Sequence, residues 1–190
     1  MIISSKRGEL KLITYNLKHK IMAAWVVRAG RNGEDEQLAL DKDLVCIRWI
    51  IPHDLSRVTD KKQLYIYAKE EEPFASEGRL HNSVGQLYSF VHRIENGDFV
   101  ILPRKETLKT TRTIAVGRAL SYEYRSDLKS LKDNIALYQT RRVKWLDKDL
   151  PRSELDDETL KSINLPSTVF RLNLAAEDAI VDSLRKRGVT

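Results

Sequence analysis

The chain has 190 residues, of which 42% are hydrophobic and 32% are charged, a composition that excludes a disordered chain and is typical of one folded domain. Lysine and arginine (33) outnumber aspartate and glutamate (27), giving a net charge of +6 and a pI of about 9.4. A basic balance of this size is compatible with a nucleic-acid partner but does not by itself establish one.

The first part of the chain alternates strand and helix patterns. Residues 1–21 are basic and are predicted to form an N-terminal extension. From Ala23, AAWVVRA predicts a strand from its β-branched and aromatic content, and GEDEQLALDKD predicts a short helix with acidic residues in its first turn. LVCIRWII, residues 44–51, predicts a second strand that Pro52 ends.

Two helices are predicted next. The first covers 60–71 and ends before Pro73. The second lies in the stretch 78–98 and ends at Asn96-Gly97, because its apolar residues recur at the spacing of one helix face. The residues of this stripe are Leu80, Val84, Leu87, Tyr88, Val91 and Ile94.

The remaining patterns predict mostly strands. DFVILPR and RTIAVGRALSYEY read as a hairpin with a basic loop between them, and LYQTRRVKWL and STVFRLN as two further strands. A short helix lies in DLPRSELDDETLKSI, and AAEDAIVDSLRKR is a closing amphipathic helix. About six strands and four helices in this order predict an α+β fold, a small curved mixed sheet or open β-barrel with helices packed around it.

Motifs for catalysis, cofactor binding and metal binding are missing from the sequence. No stretch has the P-loop or the Gly-x-Gly-x-x-Gly pattern, and no serine lies in a Gly-x-Ser-x-Gly turn. The four histidines are far apart, and Cys46 is the single cysteine. We therefore expect no cofactor, no metal site and no catalytic residue, which favours a binding domain over an enzyme.

The cysteine content and the hydropathy pattern indicate where the protein works. Cys46 has no partner for an internal disulfide, which fits a reducing compartment. No apolar stretch reaches the roughly 20 residues needed to cross a bilayer, and no secretion signal is recognisable. We expect a soluble, cytoplasmic protein without membrane contact.

Several stretches, taken in order, resemble one group of domains. AAWVVRAGRNGEDEQLAL with DLVCIRWIIPHDLS, then NSVGQLYSFVHRIENGDFVILPRK, TIAVGRALSYEYR and RRVKWLDKDLPRSEL are similar to the PUA-like, EVE/YTH-related domains of McrB-type and Mrr-type modification-dependent restriction proteins. The resemblance covers about 23–172. It implies a base-binding domain over 22–174, followed by a C-terminal helix or linker over 175–190 that leads toward a further domain.

The resemblance also implies a reader that takes a flipped, modified base into an aromatic pocket. Trp49 matches the position of a YTH-family cage tryptophan, with a core tryptophan as the equal alternative. Leu102 and Pro103 replace a more polar stretch of EVE domains, so the pocket floor differs in this chain. The residues assigned to the pocket are Trp25, Arg28, Ala29, Gly30, Trp49, Asn82, Ser83, Leu102 and Pro103.

Basic residues at strand ends are candidates for contact with the DNA backbone. For any one of them, an ordinary solvated charge is the alternative. These residues are Arg31, Arg48, Arg104, Lys105, Lys109 and Arg112.

Together these features predict a specificity module of a modification-dependent restriction system. Its partner is double-stranded DNA with a modified base, N6-methyladenine before modified cytosine, and its effector is a downstream AAA+ motor or nuclease domain, or a separate nuclease subunit. Three alternatives stay open: an RNA reader of the same superfamily, a nuclease or other enzyme, and a protein-interaction domain with an incidental basic face.

Overall fold

In the computed structural model, which describes residues 22–105 and 112–189, one mixed sheet carries helices on both faces. The strands are β1 (Ala24–Val27), β2 (Leu44–Ile47), β3 (Phe99–Pro103), β4 (Thr113–Tyr124), β5 (Gln139–Pro151) and β6 (Val169–Arg171). The α-helices within these ranges are α1 (Glu36–Asp41), α2 (Lys61–Glu71), α3 (Glu77–Tyr88), α4 (Asp157–Ile163) and α5 (Leu174–Lys186).

The strands are arranged in the order β2-β5-β4-β3-β1-β6. β1 runs parallel to β3, and every other neighbouring pair is antiparallel. β3 and β4 form the predicted hairpin. Because β2 and β6 lie at opposite edges and do not pair with each other, the sheet is open. The predicted α+β class with a mixed, open sheet is confirmed.

Some predicted elements end elsewhere in the structure. β2 stops at Ile47, although the apolar run continues to Ile51, because the chain turns out of the sheet after Arg48. The long helix predicted within 78–98 ends as an α-helix at Tyr88 and continues as a π-helical turn, Ser89–Arg93. Apolar periodicity alone does not distinguish these endings from a continued strand or helix.

The sheet separates two apolar layers. In β1, Trp25 and Val27 point to one face, and Ala24 and Val26 point to the other, as alternation along a strand requires. Helices α2 and α3 cover the first face and α4 and α5 the second. The buried residues of these helices are Leu64, Ala68, Leu80, Val84 and Leu87 on the first face, and Ile163, Ala176, Ile180 and Leu184 on the second.

Helix α5 begins one residue before the stretch 175–190, which is predicted to be a C-terminal helix or linker, and covers most of it. Its Ala176, Ile180 and Leu184 are buried against the sheet, and the Asn173 side chain caps its first turn. In the structure this helix is packed as part of the core.

The Asp98 carboxylate joins β1 to the turn before β3. It accepts hydrogen bonds from the backbone N–H of Ala23 (3.1 Å), from Trp25 Nε1 (3.0 Å) and from the backbone N–H of Glu95 (2.9 Å). The indole N–H of the buried Trp25 is therefore already used inside the fold.

Cys46 is fully buried in β2, and this burial raises the pKa of its thiol. Among the described residues, no helix is both long and apolar enough to span a bilayer.

Arg141 is buried near the start of β5 and forms no ion pair with any described residue. Its guanidinium instead donates to the carbonyl oxygens of Phe90 (3.1 and 3.3 Å), Val91 (3.1 Å) and Leu120 (2.6 Å). Burial lowers the pKa of Arg141 to about 10. Since Phe90 and Val91 belong to the π-helical turn, Arg141 fixes the end of the α3 segment against the sheet.

Replacing Arg141 by alanine should lower the free energy of unfolding by about 2–4 kcal/mol, because three carbonyl oxygens lose their donor. Urea denaturation measures this loss. Arg142→Ala is the matched control. The Arg142 side chain is partly exposed and pairs with Glu123, so we expect its removal to change the free energy of unfolding by less than about 1 kcal/mol.

The pH dependence gives a further check on Arg141. The pKa of Arg141 is lower in the folded state than in the unfolded chain. The free-energy cost of burying its charge is therefore constant at every pH below about 10 and falls only above that pH. The difference between wild type and Arg141→Ala should therefore be constant through the neutral range. A difference that varies within the neutral range would contradict this account.

Candidate functional site

A small, partly enclosed cavity of about 130 Å³ lies beside Trp49. We call it the Trp49 cavity. The indole is partly buried and forms one wall. The other walls combine aliphatic side chains with one hydroxyl and two carboxylates. These wall residues are Ile51, Ala68, Leu80 and Leu87, with Ser83, Glu71 and Glu72.

The chain that carries Trp49 is held by hydrogen bonds rather than by strand pairing. The backbone N–H of Ile51 donates to the Trp49 carbonyl oxygen at 2.9 Å, which makes a tight turn. Gln139 Nε2 donates to the carbonyl oxygens of Ile51 (2.7 Å) and His53 (3.1 Å). These bonds fix the backbone next to the indole.

Tyr122 extends this support. Its hydroxyl donates to Gln139 Oε1 and accepts a hydrogen bond from the backbone N–H of Leu55 at 3.3 Å. Burial raises the pKa of Tyr122 to about 12. The phenol therefore stays protonated, and able to donate, throughout the neutral range.

An open groove of about 610 Å³ adjoins the cavity. We call it the basic groove. It shares Arg48, Trp49 and Glu72 with the cavity, so the two form one continuous site. The other charged and polar residues of the groove are Arg28, Arg31, Glu34, Arg79, Lys105, Asn164, Ser167 and Thr168.

Arg28 lines this groove, but its guanidinium holds the protein backbone. It donates to the carbonyl oxygens of Ser167 (2.9 Å), Ile163 (3.0 Å) and Leu165 (2.9 Å). Burial lowers the pKa of Arg28. The side chain therefore shapes the groove wall between α4 and β6.

Gly30 is required by the turn that follows β1. Its φ is +86°, and a Cβ atom there would lie 2.1 Å from Glu34 Oε2 and 3.1 Å from Arg48 Cδ. A side chain would therefore be strained and would clash with its neighbours. The glycine allows the carboxylate of Glu34 and the side chain of Arg48 to approach the backbone at the groove.

Arg48 is neutralised within the fold. It pairs with the buried Asp35 at 2.8 Å and also with Asp133. Burial alone would lower the pKa of Arg48, but the two carboxylates raise it overall. Its charge is less available to a ligand than its place in the sequence indicates.

Exposed positive charge lies in the basic groove, at Arg31, and outside its lining, at Arg112. Arg31 and Arg112 are exposed, and neither forms an ion pair with a described residue. Arg152 is half-buried, and its pKa is lowered by burial and then by the charges of Arg112 and Arg28. Arg152 Nη1 donates to Asn164 Oδ1 at 3.1 Å, which places this group of arginines beside the groove.

The structure brings part of the predicted pocket together. Trp49 and Ser83 line the Trp49 cavity, and Arg28 and Gly30 line the basic groove beside it. Asn82 and an edge of Trp25 line a different groove on the other side of α3.

Other predicted residues lie away from the cavity. Ala29 and Leu102 are buried in a common cluster, and Pro103 is buried in β3. Arg104 pairs with Asp149. Lys105 lines the groove, and its Nζ donates to the Arg31 carbonyl oxygen. The predicted contact Lys109 lies outside the described residues.

Sequence reasoning missed the aliphatic walls of the cavity and the arginine at position 152. Leu80 and Leu87 were visible only as members of a core stripe on α3, together with Val84. Nothing in the helical pattern of α2 indicates that Ala68 lines a cavity.

Within residues 22–105 and 112–189, no group of three or more His, Cys, Asp or Glu side chains is placed to hold a metal ion.

A family model described as a domain of unknown function, DUF8426, matches residues 25–173. The chain belongs to this family. No curated protein matches the DUF8426 chain. Among solved structures, it is similar to the Mmi1 YTH domain in complex with RNA, with a TM-score of 0.42 and 7% identity, over 86% of this chain and 78% of that chain. The resemblance to McrB-type and Mrr-type domains stays a prediction.

Arg28→Ala should lower the free energy of unfolding of the DUF8426 domain by about 2 kcal/mol, because the carbonyl oxygens of Ile163, Leu165 and Ser167 lose their donor. Urea denaturation measures the loss, and proteolysis should cut first within 163–168. Arg185→Ala, an exposed arginine on α5 paired with Asp182, is the control and should leave stability unchanged. Equal effects of the two variants would contradict a supporting role for Arg28.

Proposed function

We propose that this domain binds nucleic acid in the basic groove and takes one modified base into the Trp49 cavity. The observation that carries the proposal is the position of Trp49, whose indole lines both the cavity and the groove. A strand lying along the groove would therefore have one base next to the indole. The domain acts as a reader and performs no chemistry on the base.

The backbone around Trp49 is held in place by hydrogen bonds, which favours stacking of a base on its indole. Gln139 and Tyr122 fix the backbone beside the indole, so little order has to be gained when a ligand binds. Stacking of a base on an aromatic side chain is worth about 1–3 kcal/mol, and removal of a base from a duplex costs a few kcal/mol. Hydrogen bonds at the base edge must supply the rest of the free energy that offsets this cost.

The cavity walls favour particular bases. Glu71 and Glu72 both line the cavity, and because the Glu72 carboxylate is paired with Arg79, the Glu71 carboxylate is the acceptor we assign to an exocyclic amino group of adenine or cytosine. The aliphatic side chains of Ile51, Leu80 and Leu87 provide a dry surface for a methyl group. A purine covers more of the indole than a pyrimidine, which favours N6-methyladenine over modified cytosine.

The groove supplies charge for the phosphates. Arg31 lines the groove, and Arg112 is exposed outside its lining. Burial lowers the pKa of Arg152, and the charges of Arg112 and Arg28 lower it further, against an opposing effect of Glu36. Positive groups placed this close repel one another until an anion binds between them. Double-stranded DNA is the proposed partner. A downstream AAA+ motor or nuclease, as in the restriction proteins that the sequence resembles, stays a prediction.

A binding series tests the proposed function. Wild type and Trp49→Ala are compared on otherwise identical duplexes that are unmodified, N6-methyladenine-containing or 5-methylcytosine-containing, and on the matched RNA. Wild type should bind the methyladenine duplex about tenfold more tightly than the unmodified duplex. Trp49→Ala should bind all duplexes alike, while Trp49→Phe, which keeps an aromatic ring, should retain part of the preference.

The outcomes separate the parts of the proposal. Equal binding of all three duplexes by wild type would contradict a modified-base reader. If Trp49→Ala still binds the methyladenine duplex more tightly than the unmodified duplex, the modified base binds outside the Trp49 cavity. Tighter binding of methylated RNA than of DNA would identify the RNA-reader alternative.

Salt dependence tests the basic groove. Because each phosphate contact releases about one counterion, Arg31→Ala should lower the slope of log Kd against log salt by about 1 and weaken modified and unmodified duplexes equally. Arg185→Ala, on the opposite helix layer, should leave the slope unchanged. An unchanged slope in Arg31→Ala would place the phosphate track elsewhere.

A further inference from the structure

Phe74 is fully exposed to solvent, with a relative exposure of 100%. It lies in the short connection between α2 and α3, the two helices that supply the aliphatic walls of the Trp49 cavity. A phenylalanine that buries none of its ring contributes nothing to the core. Because it lies close to the candidate site, its ring is free to contact a ligand bound there.

The backbone presents Phe74 on a rigid turn. The backbone N–H of Ala75 donates to the Glu72 carbonyl oxygen at 3.0 Å, which makes a four-residue turn with Pro73 and Phe74 as its central residues. Pro73 is pre-set for its position in such a turn. Phe74 is consequently held at the tip.

Both sides of this turn are attached to the domain. Arg79 Nη2 lies 3.0 Å from Glu72 Oε2, and the Ser76 hydroxyl accepts a hydrogen bond from the backbone N–H of Arg79 at 3.4 Å. Ala75 packs against the core. Little motion of the turn is needed to place the ring in a partner.

The turn stands at the edge of the site. Glu72 lines both the Trp49 cavity and the basic groove, and Arg79 lines the groove. Phe74 is two residues from Glu72, so their Cα atoms are within about 8 Å of each other. This is about two base steps along a strand, each 3.4 Å long.

We infer that Phe74 is a wedge that enters a base stack at the gap left when a base moves into the Trp49 cavity. This inference rests on the proposed function and adds that the partner is a duplex, since only a stacked duplex has such a gap to fill. Apolar side chains inserted between base steps are a known way to stabilise an opened duplex. The ring of Phe74 would replace the stacking that the departed base has lost.

The test compares Phe74→Ala, Phe74→Tyr and wild type on two probes: a duplex with one N6-methyladenine, and the methylated strand alone. Phe74→Ala should weaken binding of the duplex about tenfold to hundredfold and leave binding of the single strand unchanged. Phe74→Tyr, which keeps a stacking ring, should restore duplex binding. Leu174→Ala, an exposed apolar residue at the start of α5 on the other helix layer, is the matched control and should change neither.

A second readout reports insertion directly. 2-Aminopurine placed next to the methyladenine in the same strand, opposite thymine, should change its fluorescence when wild type binds and should change less with Phe74→Ala. Because Phe74 is outside the core, urea denaturation should find its variants as stable as wild type.

The outcomes distinguish the wedge from the proposed function. Equal weakening of duplex and single strand by Phe74→Ala, or no weakening at all, would overturn the wedge and leave the reader proposal standing. Binding of the single strand alone by wild type would do the same. Failure of wild type to bind either probe at low salt would overturn both.

Discussion

After Ile47 the chain leaves the sheet, and the side-chain amide of Gln139 takes over the hydrogen bonding that a partner strand would have provided. Gln139, the first residue of β5, pairs with Ile47, the last residue of β2, and its side-chain amide donates to the carbonyl oxygens of Ile51 and His53. A buried carbonyl without a donor costs about 1–3 kcal/mol, so the path of this segment is strongly determined. The place of Trp49 is consequently set by the sheet, and the cavity beside it is a property of the fold.

Several arginines of this basic chain are engaged in contacts within the fold and are not free to bind a ligand. Arg28 and Arg141 each donate to three carbonyl oxygens, and Arg48 is neutralised by Asp35 and Asp133. The guanidinium suits this work because it has several donors in a fixed plane and stays charged when partly buried. Net charge therefore overstates the number of cations available to a phosphate.

The sequence was sufficient for much of the fold and for only part of the candidate site. Period-two and period-3.6 patterns predicted the β3–β4 hairpin and the two helices on the first face, because local periodicity reports directly on burial. The same patterns did not indicate that β2 ends before Trp49, since the turn depends on Gln139, which is about 90 residues further along the chain. The sequence places Leu102 near the end of a predicted strand, where a pocket contact was expected, but packing buries it completely. Its position along the strand therefore did not predict its exposure.

Helix α3 also affects how this domain behaves beside other copies of itself. Gln86 Oε1 accepts hydrogen bonds from the backbone N–H groups of Thr168 (2.8 Å) and Val169 (3.0 Å), at the free edge of the sheet formed by β6. Unpaired edge amides are where a second chain can add a strand and begin aggregation. The same helix that supplies a wall of the Trp49 cavity thus blocks two of these amides, so a mutation that displaces α3 would expose the domain to edge-to-edge association.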